Sequence, residues 1–356
     1  HHTPMRVNPM AKLSWAGALG IGLGLAAPAL AQAGASDRGP FEIPVLIISY
    51  FPTNGDQIDI RVTGDWGASL ADTRAKTKRL TGEVIQALEQ GSRYRGYTNP
   101  DAPPSLRYRV VGEIEFLRPL PTFAKRGHRT PMTDYARIMA EVDIRDWVER
   151  RGVREVWLWG YHGGKVDLWE SNMASPFGDV SNSDRDPNDL PVLAHTYTVY
   201  HYNYQRGTSE AVEDHLHQIE AVLNHIDGRD HTPPAQWTNL LFWGKFVGSD
   251  ASHKIIRPGC GWAHYPPNAE RDYDWANPRY VETDIEDWKP DGTGRKQRLN
   301  CQRWGCDSLK WFIYWMQNVP GRDNGLFYQG KRLRNWWVFI GDYDTTRKLG
   351  WKLVED

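Results

Sequence analysis

The sequence predicts an α/β protein: an open parallel or mixed sheet with flanking helices, followed by a loop-rich, Trp-rich C-terminal half. Three observations carry that expectation. Residues 43–50 and 153–159 are short, continuous apolar runs, as strands buried on both faces require. Segments with apolar residues at helical spacing alternate with these runs, which argues for helices packed on a sheet. Of the 17 tryptophans, ten lie between Trp237 and Trp337, in segments dense in Pro, Gly and Asp.

The elements follow in order. Residues 13–30 form an Ala-, Gly- and Leu-rich run behind Arg6 and Lys12, closed by the small-x-small sites Ala29-Leu30-Ala31 and Ala31-Gln32-Ala33. This reads as a signal peptide over residues 1–33, because the run is short and no stop-transfer charge cluster follows it. A Gly/Ser/Asp linker, 34–40, leads to what reads as one α/β domain, 41–356, with an elaborated C-terminal half. Residues 72–90 carry Leu80, Val84, Ile85 and Leu88 at helical spacing, and 105–116 alternates as a strand does. A helix is expected over about 134–150 from Ile138, Met139, Val142, Ile144 and Val148, stopped by Gly152. Residues 161–191 read as a loop. A Tyr-, Thr- and Val-rich strand then begins at Thr196, a helix follows over 209–227, and one more helix is expected at 306–317.

Composition narrows the function. The formal net charge is −1 with no basic run or basic helix face, which argues against nucleic acid and, after leader cleavage, against a membrane partner. A secreted or periplasmic location permits a disulfide; Cys260, Cys301 and Cys306 allow Cys301 with Cys306, or Cys260 with either, and leave one thiol over. The tryptophans either fill the core with large apolar area or present an aromatic platform for sugar rings. Among standard catalytic signatures, the chain has no Gly-x-Ser-x-Gly elbow, phosphate-binding Gly-rich loop or dinucleotide fingerprint outside the leader.

Acid, base and ligand chemistry concentrates in residues 196–225. On a helical wheel Ala211, Val212, Leu216, Ile219, Val222, Leu223 and Ile226 define an apolar arc whose one polar member is His215. Glu210, Glu213, His217 and Glu220 gather opposite. The bland account makes them a solvated face and His215 a core histidine. The chemical account notes that Glu213-x3-His217-x2-Glu220 stacks one imidazole and two carboxylates on adjacent turns, a mixed N/O set suited to zinc or manganese. Other segments keep it company. His162 precedes Gly163-Gly164 at a strand end, where glycine lets backbone approach a ligand closely. Trp169-Glu170-Ser171-Asn172 lies in a loop expected to overhang the same edge. Trp262-Ala263-His264-Tyr265-Pro266-Pro267-Asn268 holds His264 and Asn268 on a stiff backbone, with Asp272-Tyr273-Asp274-Trp275 just beyond.

The blocks Glu155-Val-Trp-Leu-Trp-Gly160, Glu170-Ser-Asn-Met173, Asn203-Tyr-x-Arg206, Glu210-Ala-Val-x-x-His215-x-His217-Gln-x-Glu220 and His264-x-Pro-Pro-Asn268 resemble those of a family of secreted microbial proteins that has no established activity. The resemblance covers most of the mature chain and implies that these blocks travel together as one unit. It supplies no reaction, cofactor or substrate.

The residues lead to an expected secreted hydrolase acting on an extracellular polymer or glycoconjugate, assisted by a divalent metal such as zinc. Its ligands are expected to be His217, Glu220 and one of His162 or His264, with Glu170 or Glu210 accepting a proton from the attacking water. Trp169, Asn172, Arg206, Trp262 and Asn268 are the expected substrate contacts, and Glu213 and His215 lie close by on the helix. The alternatives are a metal-free glycosidase using Glu170 and Glu210 as its carboxylate pair, a metallopeptidase, and a non-catalytic carbohydrate-binding or cell-surface protein. The metal reading requires His162, His217 and His264 to converge.

Overall fold

The structure is a computed structural model that describes residues 34–356; the leader reading, residues 1–33, lies outside the described residues. Five strands, β1 (Phe41–Tyr50), β2 (Leu106–Phe116), β3 (Glu155–Gly160), β4 (Ser171–Ala174) and β5 (Tyr197–Asn203), form one sheet in the order β2-β1-β3-β5-β4. The first four of that order run parallel, and β4 pairs antiparallel with β5 at the edge. The mixed sheet with flanking helices is therefore as the apolar runs require. The chain steps from β1 outward to β2 and returns on the other side of β1 for β3. That reversal is the switch point whose carboxyl-end crevice open α/β sheets use for ligands. Every residue of β3 is buried, which is why its sequence lacks polar alternation.

The helices pack on this sheet. α1 (Leu70–Gly91) starts at Ser69, whose side chain accepts the Asp72 N–H, and buries Leu80, Val84 and Leu88. The single helix expected over 134–150 is two pieces. α2 (Tyr135–Glu141) ends at Val142, Asp143 turns to φ 55°, and the chain resumes as a π-helical turn at Asp146–Arg150. Asp tolerates the left-handed region, so the apolar spacing continues across a break that it does not reveal. The loop expected over 161–191 contains β4, whose four residues, Ser-Asn-Met-Ala, are all buried yet carry neither β-branching nor alternation.

α3 (Thr208–Ile226) is the central helix. Its apolar arc lies on the sheet, while its opposite side is covered by α4 (Ser308–Asn318) and the irregular segment around residues 260–275. Glu220 and Asn224 are buried there, so part of the face expected to be solvated is internal.

Most tryptophans are core material. Trp157, Trp159, Trp169, Trp243, Trp311, Trp315, Trp336 and Trp337 are fully buried, which corrects the platform reading for them. In the C-terminal half they do two jobs at once. The rings fill volume, and most of their Nε1–H groups, though not that of Trp337, satisfy carbonyls that no regular element would pair: Trp275 and Trp311 donate to the Ala263 carbonyl at 2.8 and 3.1 Å, and Trp315 to that of Gly261 at 2.8 Å. Cys301 and Cys306 form a disulfide, and Cys260 is a buried free thiol. Among the described residues no helix is long and apolar enough to cross a membrane.

Candidate metal centre

Glu213 and His217 lie one helical turn apart on α3, so they share its side away from the sheet. His264 comes to meet them from the irregular segment. One ligand atom from each of Glu213, His217 and His264 lies within 4.8 Å of the others. The His264 Nε2 is 3.5 Å from the Glu213 carboxylate, and the two imidazoles meet edge to face at 4.6 Å between centroids.

What holds the imidazoles is as informative as where they are. His264 Nδ1 lies 2.9 Å from the Asp272 carboxylate, and His217 Nδ1 lies 3.4 Å from Glu220 Oε2. A carboxylate behind Nδ1 fixes the tautomer and leaves the Nε2 lone pair for an ion, the usual support of a metal-ligating histidine. The His264 Nε2 is buried without a hydrogen-bond partner. A buried polar atom left in that state calls for an explanation, and a cation supplies one. Two imidazoles and one carboxylate form a donor set that zinc accepts.

The backbone under His264 is pinned from both directions. Glu220 Oε1 accepts the Ala263 N–H at 2.8 Å from the α3 side, while the indoles of Trp275 and Trp311 hold the Ala263 carbonyl from the other. The His264 ring itself sits between Trp262, stacked at 5.1 Å, and Tyr273 at 4.0 Å. Burial alone would lower the His217 pKa, but the hydrogen bond to Glu220 and the fields of Glu220, Glu213 and Glu170 outweigh it and hold it above the ordinary imidazole range. Those carboxylates that favour a proton there equally favour a cation.

A carboxyl pair flanks the triad. Asp214 is buried, and its pKa is driven well above the usual range by burial first, then by the neighbouring Glu170 carboxyl, and by Glu213 and Glu210. The backbone of Glu170 is fixed by Ser183 Oγ on its N–H and by the His201 N–H on its carbonyl, both at 3.0 Å. The Glu170 carboxylate acts electrostatically on His217, His162 and Tyr273.

Several expected site residues lie elsewhere. Glu220 is not in the ligand grouping; both its oxygens are engaged, one by Ala263 and one by His217, and Glu213 takes its place. His162 is also outside the triad. It is buried at the end of β3, 4.5 Å from the His201 ring, and burial lowers its pKa against the opposing field of Glu170. Glu210 is a helix cap: its carboxylate accepts the Gly207 N–H at 3.0 Å and pairs with Arg206 at 3.3 Å. Glu170 therefore pairs not with Glu210 but with Asp214, one turn further along α3.

Trp169 is packed on Tyr135 and donates to the Asp184 carbonyl, Asn172 is buried against Asp189, and Asn268 ties down the carbonyls of Asn277 and Arg279. None of these three is free to meet a substrate. Arg206 stays exposed, and its charge is felt at His162. Trp262 is part-exposed and belongs to the site as the wall behind His264. His215 is a core histidine, stacked on Tyr200.

Asp214, Asp272 and Tyr273 stand beside the triad although sequence reading gave none of them a role, Asp272 and Tyr273 being noted there only as neighbours of the His264 segment. Asp272 carried the one usable signal, an acid in a loop eight residues beyond a rigidly held histidine. No protein-family model matches the chain, and no curated protein matches it.

Proposed function

We propose that the protein is a metal-dependent hydrolase of an extracellular polymer or glycoconjugate. The observation that carries this reading is the convergence of Glu213, His217 and His264 with a carboxylate behind each imidazole. Zinc held by these residues would lower the pKa of a bound water into the neutral range. Glu170, whose charge acts on both His217 and Asp214, would be the carboxylate to take the proton.

The setting suits a long substrate. The triad's side chains are 13–19% exposed, and beside them Asp272 and Tyr273 are more than half exposed. A part-exposed triad with exposed neighbours is accessible to a chain passing across it, whereas small molecules are usually enclosed in deep pockets. The disulfide accords with an oxidising compartment, as export predicts.

The test is metal content followed by turnover. Wild-type protein dialysed against zinc should retain one ion per chain, and His217→Ala should retain none. Zinc-loaded wild type should then hydrolyse at least one member of a panel of polysaccharides, glycoproteins and peptides. No zinc in the wild type would end the metal reading. Zinc without turnover on the whole panel would leave a metal-stabilised binding protein instead.

A further inference from the structure

Tyr273 is in a conformation that its own packing does not repay. Its φ is 58°, in the left-handed region that aromatic residues seldom occupy, and its side chain is largely exposed. The residues on either side explain how it is kept there. Asp272 is drawn to His264 Nδ1, and Asp274 accepts the Glu270 N–H and the Asn277 amide, both at 2.8 Å. Held between two anchored carboxylates, residue 273 turns its ring outward, 4.0 Å from the His264 ring and edge-on to Trp275 at 5.4 Å. Residues held in sparsely populated backbone regions cluster at functional sites, where the surrounding structure over-determines them.

The position of the ring is the second observation. It lies 4.0 Å from the ring of His264, a triad ligand whose Nδ1 is taken by Asp272 and whose buried Nε2 has no hydrogen-bond partner. The largely exposed ring thus stands beside a ligand of the triad.

We infer that Tyr273 is a substrate-facing residue of this site, its phenol O–H donating a hydrogen bond to a carbonyl or anionic oxygen bound beside the ion. The inference rests on the metal reading proposed above and adds the ligand chemistry: an oxygen that gains negative charge as the substrate is attacked. A neutral donor aimed at that oxygen is the general means of stabilising it. The competing role is purely structural, with the ring serving only to clamp His264. Tyr273→Phe keeps the clamp and removes the hydroxyl, and Tyr273→Gly relieves the backbone.

The experiment uses the zinc-loaded full chain and acetohydroxamate, a small anionic zinc chelator, as probe. Zinc stoichiometry, hydroxamate Kd and melting temperature are measured for wild type and both variants. Tyr273→Phe should keep its zinc and its melting temperature while binding hydroxamate roughly tenfold more weakly, the size expected for one hydrogen bond to a charged group. Tyr273→Gly should lose at least as much affinity yet melt at or above the wild-type temperature. Unchanged affinity in Tyr273→Phe, loss of zinc from it, or a zinc-loaded wild type that ignores hydroxamate would each overturn the inference. A wild type that holds no zinc would overturn the metal reading itself, before any hydroxamate is added.

Discussion

His215 and His217 stand two residues apart on α3 and face opposite ways. His215 looks into the sheet, stacked on Tyr200 at 3.8 Å, hydrogen-bonded to the Tyr202 hydroxyl, with Nδ1 3.7 Å from Glu155. His217 looks into the C-terminal half, toward Glu213, Glu220 and His264. Burial drives the first environment to neutrality, pushing Glu155 up to about 8 and His215 down to about 3. In the second, several carboxylates act on one imidazole and keep it above its ordinary range despite burial. The lesson is that the chemistry of a histidine is decided by how many charged partners share its side of the helix. A two-residue step, about 200° around the axis, is enough to change it.

The largest way to break the contrast is to remove each histidine in turn. His217→Ala or His264→Ala should abolish tight zinc binding, a loss above about 100-fold in chelator competition, because each removes a ligand outright. His215→Ala should leave zinc affinity within a few fold while costing about 2–4 kcal/mol of unfolding free energy in urea titration, as a core cavity does. Should His215→Ala lose the metal and His217→Ala keep it, the two faces have been assigned the wrong way round.

The supporting carboxylate gives a smaller effect. Asp272→Asn should lower zinc affinity about 10- to 100-fold without unfolding the chain, measured by the same competition. Loss confined to a factor of two would mean that Asp272 does not orient His264.

The sheet side should show itself through pH. A buried Glu155 whose pKa is raised from 4.5 to about 8 binds its proton more tightly in the folded state. Its contribution is therefore full below the unfolded value and is lost as pH rises through about 8. His215, lowered from 6.5 to about 3, contributes the opposite slope, but only below 6.5. Between pH 6.5 and 8 His215 no longer contributes, while Glu155, His217 and Asp214, all raised, each lose stability, so Glu155→Gln should make the decline in urea midpoints across that window shallower without abolishing it. Parallel declines in the two proteins would show that Glu155 is not among the groups responsible.

The smallest expected change is at Glu210. Glu210→Gln weakens its bonds to Gly207 and Arg206, so about 0.5–1 kcal/mol of stability should go with no change in zinc affinity. A large loss of turnover in that variant would restore Glu210 to the chemistry.

Much of the sheet was legible because burial on both faces writes itself as continuous apolar runs, as at residues 43–50 and 153–159. β4 was not, since Ser-Asn-Met-Ala is set in place by pairing with β5 and not by its own preference. The break at Asp143 was invisible for a related reason: apolar spacing reports which face is buried, not whether the helix is continuous. Within the site, sequence singled out His217 and His264 but chose Glu220 as the carboxylate ligand where the structure brings Glu213. Both lie on the right side of α3. The choice was made by the Ala263 N–H, which needs an acceptor and finds it in Glu220, a pairing between segments 43 residues apart. Trp169, Asn172 and Asn268 drew attention as polar or aromatic loop residues, yet each serves a carbonyl or carboxylate inside the fold.

The most direct test is an anomalous diffraction map of zinc-soaked crystals recorded at the zinc edge. The account predicts one strong peak about 2.0–2.2 Å from a Glu213 carboxylate oxygen, His217 Nε2 and His264 Nε2. A zinc-saturated crystal with no peak there, or with its strongest peak at His162 and His201, would contradict it.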